Sequence, residues 1–193
     1  MMTQVGTVGL FGKLPARGDF VCGGLPRSFV TPWDAWLQLV LAASRKRLDA
    51  DWLPAWLEAP VWRFALAPGL CGEDAVLGVM LPSVDRVGRY FPLTLAALFA
   101  PDASAGGSRA PANDGTEAEA WLDGAEAAGR AALEQDASPE QAVALLPEPP
   151  SLPAMPLAGS LWWSEGGPRV APVRRQRPAL PDTDDFIAML CDP

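Results

Sequence analysis

Between Ala59 and Phe99 the chain carries three apolar runs of strand length, separated only by turn and loop residues, and this commits it to a fold built on a sheet. In 59–67, Trp62, Phe64 and Leu66 alternate with Arg63 on the opposite side, which is the period of a strand. Pro68-Gly69 turns the chain, 75–81 is apolar throughout, 82–89 is polar, and 90–99 is the third run. Strands this close in sequence predict a meander or a mixed sheet. Further strands are expected at Val5–Gly12 and at Gly159–Ser164. Neighbouring residues of a strand point to opposite faces, so one of Trp162 and Trp163 is a candidate exposed interface anchor.

Helices are expected around these strands. Thr31 can cap, Pro32 suits a first helical position, and Trp33, Trp36, Leu37, Val40 and Leu41 form an apolar stripe, predicting a helix over 32–48. Arg45-Lys46-Arg47 falls in its last turn, where cations oppose the helix dipole. Shorter helices are predicted over 51–58, 116–135, 138–146 and 182–190, the last with Phe186, Ile187 and Leu190 inward. Residues 13–30, with Pro15, Gly18, Gly23, Gly24 and Pro26, read as one long loop.

Composition then removes whole classes of function. The 193 residues include no histidine, which excludes Ser-His-Asp and Cys-His nucleophile systems and every metal site that needs imidazole. Three cysteines without a C-x-x-C spacing point to a reducing compartment rather than a disulfide scaffold. The first residues have no basic leader region, and no apolar run reaches about 18 residues, so a cytoplasmic protein without direct membrane insertion is expected. Net charge is −8, and residues 102–150 hold it, with 2 basic and 10 acidic groups; residues 1–101 are net +1. Such a chain makes a poor nucleic-acid binder, and Arg174-Arg175-Gln176-Arg177 reads as a solvated turn. The acidic stretch reads as a solvated helix face rather than a surface steering a basic partner. Gly12-Lys13 fails as a phosphate loop, because Leu14 follows the lysine and Thr7 stands where the loop needs its first glycine. No cofactor motif is present, and none is expected.

The polar residues of interest fall in two loops. Pro82–Pro92 concentrates Ser83, Asp85, Arg86 and Arg89 between apolar strands, and the loop after the first strand offers Lys13, Arg17 and Asp19. If the loops meet at one end of the sheet, three readings follow. Ser83 with Lys13 or Asp85 would form a cryptic hydrolytic pair. The arginines would recognise a peptide or acidic group. Or the whole cluster is a salt-bridge network that pins the loops.

GKLPARGDFV (12–21), WDAWLQ (33–38), APVWRFALAPG (59–69), GVMLPSVDRVGRYFPLTL (78–95) and SLWW (160–163) resemble the TagF/ImpM family, which accompanies bacterial type VI secretion systems. The resemblance is weakest across 100–158. It implies an α/β fold, a mixed central sheet packed between helices as a three-layer sandwich. It implies a single TagF-like domain over 1–193, with a flexible Ala/Gly/Pro-rich insertion at 101–115 and a Pro-rich connector at 147–156. It further implies a cytoplasmic accessory protein, not an enzyme, that represses secretion post-translationally by binding the system's forkhead-associated scaffold protein. The family carries over no catalytic residues; the expected partner surface is the cluster Lys13, Arg17, Asp19, Ser83, Asp85, Arg86 and Arg89.

Overall fold

A computed structural model describes residues 6–101, 116–150 and 158–192. Its strands are β1 (Thr7–Gly12), β2 (Val21–Gly23), β3 (Trp62–Leu66), β4 (Ala75–Leu81), β5 (Leu93–Phe99), β6 (Ser160–Ser164) and β7 (Val173–Arg177). The helices are α1 (Arg27–Leu48), α2 (Trp52–Leu57), α3 (Thr116–Glu134), α4 (Pro139–Ala144) and α5 (Thr183–Leu190). The strands form one sheet in the order β2-β1-β5-β4-β3-β6-β7. The expected α/β class holds, but every pairing is antiparallel rather than mixed. The close runs form the meander β3-β4-β5, and β1 returns to lie beside β5.

Both faces of the sheet are covered, which is why β4 and β5 are apolar at every position except Gly78 and Thr94. On one face Phe64, Leu66, Val76, Leu98 and Trp162 pack with Phe29, Trp33 and Leu37 of α1, Trp56 of α2 and Phe186 of α5. On the other, Leu77, Val79, Leu95, Phe99 and Trp163 pack with Trp121, Leu122 and Ala125 of α3 and Ala142 of α4. Trp33 centres the first layer, with ring centroids 4.7 Å from Phe64, 5.4 Å from Phe29 and 6.1 Å from Trp162. Its indole N–H donates to the buried Thr94 hydroxyl at 3.0 Å. Gly78 makes room for that stack, since a Cβ there would lie 2.5 Å from the Phe64 ring.

Several sequence expectations need correction. Helix α1 begins at Arg27, not at Pro32. The Pro26 carbonyl accepts from the Phe29 and Val30 amides at 3.1 and 3.0 Å and starts the first turn, and buried Phe29 anchors it. Pro32 therefore sits inside the helix and leaves the Ser28 carbonyl without its helical donor. The stretch 13–30 is accordingly no single loop, because β2 and the start of α1 divide it. Trp162 and Trp163 are both buried, each in a different layer, so neither is an exposed anchor. In α5 the inward residues are Phe186, Met189 and Leu190, while Ile187 is half-buried.

The run 174–177 is not a turn but the edge strand β7. Its arginines are engaged. Arg174 lies over the Trp163 ring at 5.0 Å, Arg175 pairs with Asp192, and Arg177 donates to Asp185 at 2.8 Å. The insertion expected at 101–115 and most of the connector at 147–156 lie outside the described residues. Among the described residues no helix is long and apolar enough to cross a membrane.

Candidate functional site

The two polar loops meet at one end of the sheet, where β1 finishes beside the start of β5. Gly12 ends β1 at φ +141°, and a Cβ there would stand 2.0 Å from the Pro92 carbonyl oxygen. Only glycine permits this approach, and it delivers Lys13 to the loop between β4 and β5. The Ser83 hydroxyl donates to the Lys13 carbonyl at 2.7 Å, and the Arg86 amide donates to the Arg17 carbonyl at 3.0 Å. Arg89 reaches across to the Gly18 carbonyl.

Asp85 is the hub. Its side chain is fully buried, and the Lys13 ammonium, itself buried, donates to Oδ2. The Arg89 Nε–H donates to the same oxygen at 2.7 Å. The Val87 and Arg89 amides donate to Oδ1 at 3.0 and 2.8 Å, closing the turn over Gly88 at φ +86°. Burial alone would raise the Asp85 carboxyl. The donors from Lys13, from the Arg89 amide and guanidinium, and from Val87 outweigh it and hold the group well below the usual carboxylate range. The Lys13 ammonium also lies 4.6 Å from the Phe20 ring centroid, and Phe20 stacks on Phe11 and meets Phe91 edge-on at 4.8 Å.

The predicted cluster thus divides. Lys13, Ser83 and Asp85 are buried and spent on one another, and Arg89, though its side chain is partly exposed, is committed to Asp85 and Gly18. Arg17, Asp19 and Arg86 are exposed, and among the described residues none of the three forms a side-chain ion pair. They line an open cleft of about 500 Å³ together with Gly18, Phe20 and Glu140. Phe20 at 47% exposure and Val87 at 64% add apolar surface beside the arginines. Sequence reasoning passed over both. The available signal was a large apolar side chain inside an otherwise polar loop.

The hydrolytic pairing is not formed. The Ser83 hydroxyl donates to a backbone carbonyl, and the Lys13 ammonium is paired with Asp85 rather than placed to take the serine proton. Burial pushes the Cys71 thiol up to about 12 and raises that of Cys22, so neither thiol is activated. Among the described residues no group of three or more His, Cys, Asp or Glu side chains is arranged to hold a metal ion. The acidic helix α3 is partly spoken for as well. Arg63 of β3 pairs with Glu119, Asp123 and Glu126 at 3.1, 2.6 and 3.2 Å.

Fold and site together define a three-layer α/β protein whose two polar loops are welded by a buried ion pair beneath an exposed rim carrying Arg17 and Arg86. The model of the TagF N-terminal domain, type VI secretion system-associated, matches residues 9–148, and the chain belongs to that family. It is similar to the crystal structure of PA0076 from Pseudomonas aeruginosa PAO1, with 39% identity over 97% of this chain and 95% of that one and a TM-score of 0.80. No curated protein matches the chain.

Proposed function

We propose that this protein is a cytoplasmic, non-enzymatic regulator that represses type VI secretion post-translationally by binding the forkhead-associated scaffold protein of the system. Family membership supports the association with secretion. The observation that carries the binding reading is the division of the two-loop cluster. Its buried half offers no free nucleophile or base, while in its outer half Arg17 and Arg86 are joined backbone to backbone and, among the described residues, their side chains have no ion-pair partners. A rim of exposed arginines on a rigid base is suited to recognition, because a planar guanidinium loses little freedom when it bonds.

Calorimetry with the purified full chain and the scaffold protein from the same organism tests this. Binding by the native chain, weakened by Arg86→Ala in a variant with an unchanged circular dichroism spectrum, is the expected result. Absence of binding by the native chain overturns the scaffold reading.

A further inference from the structure

The charge of the two loops is opposite to that of the chain. Lys13, Arg17, Arg86 and Arg89 stand against Asp19 and Asp85, so the site is locally positive on a protein of net charge −8. Asp85 spends its charge internally on Lys13 and Arg89. What remains facing the cleft is Arg17 and Arg86, tied to each other through the Arg86 amide and the Arg17 carbonyl, with Asp19 and Glu140 as the carboxylates that also line it. Glu140 is fixed where it stands, since the Ser138 hydroxyl bonds to it at 2.8 Å. Its carboxyl is held below the usual range by its own backbone amide, by Ser138 and, more weakly, by Arg17.

We infer that this cleft takes an acidic, extended segment of a protein partner, its carboxylates seated between Arg17 and Arg86 and an apolar side chain against Phe20 and Val87. The inference rests on the partner-binding reading above and supplies its chemistry. Charge complementarity selects the occupant: an acidic segment is disfavoured by a chain of net charge −8 and meets in this cleft two guanidiniums that form no ion pair among the described residues. Glu140 then competes with the incoming acid for Arg17, so removing its charge improves binding.

The test uses fluorescence anisotropy of a labelled Glu/Asp-rich peptide containing one leucine, titrated with the full chain, alongside the scaffold titration. Arg86→Glu is expected to weaken the peptide by about tenfold or more, because a like charge then faces it. Glu140→Gln is expected to tighten it, and added salt to loosen it. Arg174→Glu makes the same charge change on β7, at the opposite edge of the sheet, and is expected to leave binding unchanged. Absence of peptide binding, or equal binding by the Arg86→Glu and Arg174→Glu variants, overturns the inference. Scaffold binding that ignores Arg86 while the peptide fails to bind would sink the inference and leave the repressor reading standing. Peptide binding with the expected variant pattern but no scaffold binding would do the reverse.

Discussion

Asp85 and Asp19, like Arg89 and Arg86, are the same chemical groups in the same two loops, yet one of each pair is structural and the other is free. The difference is position in a turn. Asp85 stands where its carboxylate can collect the amides of Val87 and Arg89, and Arg89 stands where its guanidinium returns to that carboxylate. Arg86, at the tip, uses only its backbone amide to hold the neighbouring loop. In the loop between β4 and β5 a charged residue is thus fixed or available according to whether the turn folds its side chain back, and not according to its type.

The comparison breaks first at Asp85. Asp85→Ala strands the buried Lys13 ammonium and is expected to cost about 3–5 kcal/mol in chemical denaturation. A loss too small to measure would mean that the inner half welds nothing. Arg89→Ala removes charge-assisted bonds to Asp85 and Gly18 and is expected to cost about 1–3 kcal/mol. It therefore weakens any partner indirectly, through the fold, and its binding defect should shrink on cooling while the helical signal recovers.

Acid sharpens the contrast. Because the folded Asp85 carboxyl lies below its unfolded value, the stabilisation is fully present above about pH 3.9 and is lost as pH falls below that toward the folded value. An acid titration of stability should show this slope in the native chain and lose that share of it in Asp85→Asn. The smallest expected effect is Arg86→Ala, which should leave stability within about 0.5 kcal/mol while scaffold affinity falls. A large stability loss there would place Arg86 with the inner half and remove the basis for a recognition rim.

Strands β4 and β5 were legible because a sheet covered on both faces demands apolar residues nearly without interruption, and β3 because Trp62, Phe64 and Leu66 alternate with Arg63. The same cover hid another feature. It buries Trp162 and Trp163 together, although strand periodicity alone leaves one of them outside. Strand β7 was illegible because an edge strand is half solvated and its arginines read as a turn, whereas three separate partners occupy them. At α1 the Thr31-Pro32 signal was a false start. A helix can open on a backbone carbonyl such as that of Pro26 with no capping side chain, and nothing in residue type announces it. That the two loops carried the polar residues of interest was readable. Which of those residues turn inward depended on contacts spanning the chain, such as Gly12 against Pro92.

The sheet order also sets a clock. Lys13 and Asp85 are 72 residues apart, and β1 joins the rest of the sheet through β5. At a synthesis rate of about 5–20 residues per second, the first loop leaves the ribosome roughly 4–14 s before the carboxylate that will neutralise its lysine. Through that interval the lysine stays hydrated and the loop has no fixed shape to offer. A surface made of both loops therefore comes into being only after synthesis has passed β5, so that a nascent chain stopped short of Phe99 carries the basic residues of the rim but not the rim itself.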